Sequence, residues 1–277
     1  MPLKGVITPD GRELTWDKYL VTDGKGVFPK AVRHALYDGL KGERNRWYSP
    51  SSINYCLRKA KWQFERDWYI PQRGAYYFMR GNIIHGILAA SRLGTGALVE
   101  QEVKAIVPGT DLMLAGQLDL WEDGVLYDYK TLSEMGVSRL LKEGAKAEHI
   151  KQANIYAWML RKEKNIDTEK IVIVYLTMSN CIPTGQEFMI KNRKGEEEEQ
   201  ILDHCPVYTD SMVEGFLTPI FKSLSAGFPP AAEPQDWICK DCYFREECQR
   251  TVGRGEAVVQ NVTPEIVKPK INIDDLF

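Results

Sequence analysis

Three apolar runs in quick succession, residues 98–107 (LVEQEVKAIV), 112–121 (LMLAGQLDLW) and 125–131 (VLYDYKT), constrain the fold more than any other feature of the chain. They are separated by Pro108-Gly109 and by Glu122-Asp123-Gly124, and Asp-Gly between alternating apolar runs is a strong hairpin signal. Three sequential strands are therefore expected. Before them, helix formers run from about Tyr76 to Ser91; after them a helix is expected over about Ser138 to Lys162. The β-branched stretch Ile171 to Met178 then reads as a buried strand. The order helix, three strands, helix, strand predicts a mixed α/β (α+β) fold with an αβββαβ core.

The flanks are less regular. Residues 1–45 are expected to form an N-terminal extension, because their opening is rich in Gly, Asp and Lys with weak periodicity. Residues 46–252 are expected to form one domain. Its first helix should begin after the hydroxyl-rich Ser49-Pro-Ser-Ser and carry Cys56 early on. Glu196 to Glu199 reads as an acidic loop, and about Asp210 to Ala226 as a helix. Residues 253–277, polar and punctuated by proline, read as a flexible tail.

A formal charge of -2 and a pI near 6.2 exclude a globally basic nucleic-acid binder, so any such contact needs a local patch. Arg44, Arg46, Arg58, Lys59, Lys61 and Arg66, interleaved with Trp47, Tyr48, Trp62 and Trp68, form one candidate patch. Arg139, Lys142, Lys146 and Lys151 form a second. No apolar stretch of membrane-spanning length and no signal peptide is visible, so the expected location is cytoplasmic and no membrane partner is expected. In that reducing compartment six cysteines argue for metal ligation or burial rather than disulfides.

The chemistry-bearing residues gather around the expected hairpin. Asp119 ends one strand; Asp128 and Lys130 lie on the next, two residues apart and so on one face. Two carboxylates can hold a hard divalent cation, Mg²⁺ or Mn²⁺, while leaving positions open for a phosphate oxygen. An ammonium beside them can orient a water and offset developing negative charge. An Asp-x-Lys triplet alone is common by chance, and a lone helical histidine is more often structural. The surrounding pattern strengthens both: Gly81-Asn-Ile-Ile-His85 places His85 four residues after Gly81, and Gly116 precedes Asp119 by three. Gln152 and Tyr156, four residues apart, share a helix face and could hydrogen-bond a nucleic-acid backbone or a carboxylate of the site.

Taken together, Gly81…His85, Gly116…Asp119, Asp128-Tyr-Lys130 and Gln152…Tyr156 resemble the RecB-like branch of the PD-(D/E)XK nucleases. That resemblance implies a restriction-endonuclease-like fold and DNA cleavage with Mg²⁺ or Mn²⁺. It also implies metal-ligand roles for His85, Asp119 and Asp128, a backbone-carbonyl ligand at Tyr129 and a catalytic role for Lys130. Asp128 stands where many relatives carry Glu. Glu102, on the first strand, is a further acidic group near the expected site but outside the assigned set.

Cys239, Cys242 and Cys248 lie in one short span, and Cys56 far upstream supplies a fourth thiol. Four soft thiolates satisfy either zinc or an iron–sulfur cluster, and spacing alone does not choose. One cysteine before the core and a Cys-x2-Cys-x5-Cys group after it resembles the iron–sulfur nucleases, including the Cas-four family, the AddB nuclease domain and viral relatives. This resemblance implies a structural [4Fe-4S] cluster, with zinc as the alternative. Cys181 and Cys205 lack neighbours at ligand spacing and are expected to be free buried thiols.

The expected activity is that of an exonuclease acting on single-stranded DNA or DNA ends, in recombination, phage DNA metabolism or CRISPR-type adaptation. The expected cytoplasm is that of a prokaryote, or of the host if the protein is viral. A structure-specific or nicking endonuclease and a catalytically silent DNA-binding adaptor are the alternatives. Arg58, Lys59 and Arg80 are candidate DNA contacts. The closing residues Ile273 to Phe277, acidic with a terminal aromatic, could dock into a hydrophobic pocket of a protein partner.

Overall fold

The structure is a computed structural model that describes residues 3–24, 26–40, 47–132, 140, 144–177, 189–191, 197–199, 202–227, 239 and 242–252. The expected order is present. Helix α4 (Gln72–Ala90) precedes strands β4 (Leu98–Ile106), β5 (Met113–Glu122) and β6 (Val125–Leu132); helix α5 (Ala147–Lys164) then leads to β7 (Lys170–Thr177). With β10 (Leu202–Cys205) they form a five-stranded sheet in the order β10-β7-β6-β5-β4. Successive strands β4, β5 and β6 pair antiparallel, while β6 and β7 pair parallel from Val125↔Lys170 to Leu132↔Thr177. The parallel pair needs a crossover, which α5 supplies. Its residues Ala153 to Leu160 are all buried, in one core with Leu114, Leu118, Leu126, Ile171 and Ile173 of the sheet and Val213, Leu217 and Phe221 of helix α6 (Asp210–Ser225).

Three boundaries differ from expectation for local reasons. The Ser49 and Ser52 hydroxyls bond each other's backbone N–H groups at 3.1 and 2.9 Å, closing a turn instead of capping a helix. Helix α3 therefore starts later, at Leu57–Glu65, and Cys56 is the extended residue before it. Helix α5 begins only at Ala147, because Gly144 takes a left-handed φ of 72° and Lys146 is extended; of the earlier expected turn, residues 138, 139 and 141–143 lie outside the described residues. Glu197–Glu199 is a strand, β9, paired with β8 (Met189–Lys191), rather than a loop; Glu196 lies outside the described residues.

The N-terminal region carries more structure than its sequence announces. Strand β1 (Leu3–Ile7) pairs antiparallel with β2 (Glu13–Thr15) and parallel with β3 (Trp68–Pro71), so this small sheet draws one strand from beyond residue 46. Val6, Trp16, Tyr19, Leu36, Leu40, Ile70 and Ala75 form its core, drawn also from helices α1 (Trp16–Val21) and α2 (Lys30–Leu40). Ala75 belongs to α4, which thus bridges this unit and the large sheet. The expected C-terminal tail, residues 253–277, and Cys181 lie outside the described residues. Among the described residues no helix is long and apolar enough to cross a membrane.

Candidate active site

The site lies where β5 and β6 part. Their pairing covers Leu120↔Tyr127 to Glu122↔Val125 and stops one step before Asp119 and Asp128. In the opening, Asp119 Oδ2 accepts the backbone N–H of Tyr129 at 2.7 Å, so a side chain replaces the ladder bond. The other oxygen, Oδ1, lies 3.1 Å from His85 Nδ1 on α4, and the His85 ring meets the Tyr129 ring edge-on. Helix α4 and strands β5 and β6 are thereby tied at one point.

A residue that sequence reasoning did not select completes this point. Glu100 Oε1 stands 3.9 Å from His85 Nδ1, and ligand atoms of His85, Glu100 and Asp119 all lie within 4.8 Å of one another. Glu100 faces Asp119 across the β4–β5 ladder, between Val99↔Leu120 and Gln101↔Leu118. Its φ of 48° is in the left-handed region, a conformation that costs about 1–3 kcal/mol in a non-glycine residue. Gln117 supports it by donating to the Glu100 carbonyl at 2.9 Å. Counting the register outward from the Pro108-Gly109 turn would have found Glu100. Glu102 is instead exposed, its carboxylate 2.8 Å from Lys104 Nζ.

Asp128 is buried at 3% exposure, and the Lys130 ammonium lies against its Oδ2, which accepts no well-aligned hydrogen bond. Burial, reinforced by the Asp119 charge and opposed by Lys130, pushes the Asp128 carboxyl up to about 6. Asp128 and Lys130 do share a face, as expected, but Asp128 is outside the His85, Glu100 and Asp119 group. The Asp119 hydrogen bond, with the Glu100 charge, holds His85 above its ordinary range; burial and Asp119 raise Glu100. Beneath Lys130, His149 is buried with its Nδ1 3.0 Å from the Tyr175 hydroxyl; burial and the Lys130 charge depress it to about 3. It is neutral at any ordinary pH.

Gln152 and Tyr156 reach the same region from α5. Tyr156 is buried, hydrogen-bonds Gln152, and has its ionisation suppressed by burial and by the Asp119 and Asp128 charges. Its ring lies so close to β5 that a Cβ on Gly116 would sit 2.9 Å from Tyr156 Cε1 and Oη and from Pro50 Cδ. Gly116 thus makes room for Tyr156 three residues before Asp119.

The basic residues fare differently. Arg58 is buried at 2% exposure and its Nη1 lies 3.8 Å from Cys248 Sγ, so its guanidinium does not face a nucleic-acid strand; this corrects its candidate role as a DNA contact. Lys61 pairs with Glu65 at 2.8 Å and Arg66 with Glu247 at 2.6 Å, so much of the first expected patch is engaged internally. Arg44, Arg46, Arg139 and Lys142 lie outside the described residues. Arg80 is on α4, half-buried, five residues from His85 and so on a different face.

The four cysteines come together where α3 meets helix α7 (Arg245–Val252). Burial raises the Cys242 and Cys248 thiols; Cys56 and Cys239 add to this electrostatically, while Lys59 lowers Cys242 and Arg58 lowers Cys248. Cys242 N–H donates to the Cys239 carbonyl at 3.2 Å, a tight turn that presents two thiols. Ring contacts Trp62–Phe244 at 5.3 Å and Tyr69–Tyr243 at 5.9 Å pack this segment onto α3 and β3. Cys205 is buried in the main core, as expected.

No family model matches the chain, and no curated protein matches its sequence. Among solved structures, one named "Crystal structure of SSO0001" is 16% identical with a TM-score of 0.49, over 78% of this chain and 95% of that one. A Eubacterium rectale protein named "Putative exonuclease" is 13% identical with a TM-score of 0.38, over 83% of this chain and 92% of that one. Likenesses of this strength assign no activity to the chain.

Proposed function

We propose that the protein is a metal-dependent deoxyribonuclease, an exonuclease acting on single-stranded DNA or DNA ends. The observation that carries this reading is the convergence of His85, Glu100 and Asp119 within 4.8 Å, beside the Lys130–Asp128 pair on the next strand. Two carboxylates and one imidazole suit a borderline divalent ion; Mn²⁺ accepts the nitrogen more readily than Mg²⁺, which prefers an all-oxygen shell. His85, Glu100 and Asp119 would hold the ion, with Asp128 and the Tyr129 carbonyl as further oxygen donors. Such an ion supplies Lewis acidity and a water of lowered pKa.

The remaining work falls to the chain itself. Lys130, held against Asp128, places a positive charge beside the reacting phosphate and orients the attacking water. Tyr156 and Gln152 exclude bulk solvent from the buried side of Asp128 and Asp119. Tyr129 N–H fixes the Asp119 carboxylate so that Oδ1 is directed to the His85 side.

Cys56, Cys239, Cys242 and Cys248 would hold a structural [4Fe-4S] cluster, with zinc as the alternative, since four soft thiolates suit either group. The proximity of Cys56 and Cys239 to both Cys242 and Cys248 supports a shared ligand set.

The deciding experiment incubates purified protein with Mn²⁺ or Mg²⁺ and end-labelled linear or circular single-stranded DNA. Cleavage of linear but not circular DNA is expected; cleavage of both makes the enzyme an endonuclease. No cleavage of either with both ions refutes the reading.

A further inference from the structure

Helix α4 is unusual for its exposed apolar surface. Tyr76, Tyr77, Phe78, Ile83 and Ile87 are all exposed, half of the large hydrophobic residues so classed among the described residues. One of its faces is accounted for by packing: Ala75 and Met79 join the N-terminal core, and Asn82 Nδ2 donates to the Gly39 carbonyl of α2. His85 lies on the neighbouring face, against the large sheet. Phe78 precedes His85 by seven residues, two helical turns, so it lies on that same face about 10 Å along the axis. It is 53% exposed. Between them on this face is Gly81, where a Cβ would meet nothing within 4 Å.

We propose that the Phe78–Gly81–His85 face of α4 is the track on which a single strand of nucleic acid enters the site, with an unpaired base stacked on Phe78. This rests on the nuclease reading and adds the path of the strand and the residue on which its base stacks. The chemistry follows from the residues. An exposed aromatic ring offers a sequence-tolerant stacking platform, and bases can use it only when unpaired. Gly81 provides a bare stretch of helix where a sugar–phosphate backbone can pass closely, which a side chain would obstruct. Tyr77 and Arg73 edge the track, with Arg73 Nε donating to the Tyr77 hydroxyl at 2.9 Å and its guanidinium over the Tyr77 ring. Continuity with the ligand residues selects this occupant over an apolar partner surface, because the track ends at His85 and the carboxylate group.

The test is fluorescence anisotropy in EDTA with a labelled oligothymidylate, its duplex with oligoadenylate, and an abasic strand of equal length. Wild type is expected to prefer the single strand over the duplex. Phe78→Ala should weaken oligothymidylate binding about tenfold, with Phe78→Trp restoring it, and should leave abasic-strand binding at its wild-type value. Gly81→Leu should also lose binding while melting no lower than wild type, since the added side chain meets open space. Equal binding by Phe78→Ala and wild type, or equal losses on normal and abasic strands, overturns the track. So does a change in sedimentation with Phe78→Ala and none in binding, which would make the face a contact between copies. A Phe78-dependent single-strand affinity without Mn²⁺-dependent cleavage leaves the track standing and refutes the nuclease reading. Cleavage by wild type with normal binding by Phe78→Ala does the reverse.

Discussion

His85 Nδ1 and Asp119 Oδ1 lie 3.1 Å apart, joining α4 to β5 and giving the imidazole a carboxylate that favours its protonated form. A divalent ion at this point must displace that proton, so binding and protonation compete. Because Asp119 and Glu100 raise His85, Mn²⁺ affinity should keep rising with pH beyond the ordinary histidine range near 6.5. Isothermal titration in buffers of different ionisation enthalpy should detect proton release; His85→Ala should abolish it. Unchanged proton release in that variant would remove His85 from the ligand set.

Glu100 should matter for the same ion. Glu100→Gln keeps the shape and removes one carboxylate charge, and should weaken Mn²⁺ binding by about tenfold to a hundredfold. Glu102→Gln, whose carboxylate pairs with Lys104 on the surface, should bind Mn²⁺ as wild type does. If the two variants behaved alike, the distinction drawn between these glutamates would be wrong.

Asp119→Ala and Lys130→Ala should each lower cleavage at least about a hundredfold. Lys130→Ala also strands the buried Asp128 carboxyl without its counter-charge, so its melting temperature should fall. Adding Asp128→Asn should recover part of the stability and none of the activity. Full activity of Lys130→Ala would end its catalytic assignment.

Gly116→Ala tests the approach of Tyr156 to β5. A Cβ there meets two Tyr156 atoms and Pro50 at 2.9 Å, with backbone-anchored groups on both sides. A loss of about 1–3 kcal/mol in urea unfolding is expected. Combining it with Tyr156→Ala should reduce the further penalty, since the two residues occupy the same space.

His149 sets an acid-side prediction. Its folded value near 3 lies below the unfolded value of 6.5, so the unfolded chain binds the proton first as pH falls. Its contribution is complete above 6.5 and disappears as pH falls toward 3, at about 1.4 kcal/mol per pH unit. Asp128 has the opposite sign, since its folded value near 6 exceeds its unfolded 3.8 and favours the fold as pH drops through that interval. The difference between wild type and His149→Gln isolates the histidine: the variant should lose less stability between pH 7 and pH 5. Parallel curves would assign the acid response elsewhere.

The core of the fold was legible because its signals are local. Alternating apolar runs and Asp123-Gly124 specified β5 and β6, and the Asp128-x-Lys130 spacing put two side chains on one face. Glu100 was missed because its place opposite Asp119 emerges only when the hairpin register is counted back from Pro108-Gly109, and its left-handed backbone departs from an ordinary strand. Arg58 was misread because a cation in a basic run looks solvent-exposed until the segment bearing Cys248, 190 residues later, covers it. The N-terminal sheet was hidden for a like reason: β1 finds its parallel partner at Trp68–Pro71, and no periodicity within either segment indicates that pairing.

The long return of the chain to α3 has a consequence for synthesis. Arg58, Trp62, Arg66 and Tyr69 have partners in Cys248, Phe244, Glu247 and Tyr243, which lie in the last described stretch. Until the ribosome has made that stretch, these contacts on α3 cannot form. Residues 243–248 must therefore have left the tunnel before this face of α3 is sealed, and a product that stops short of them exposes it.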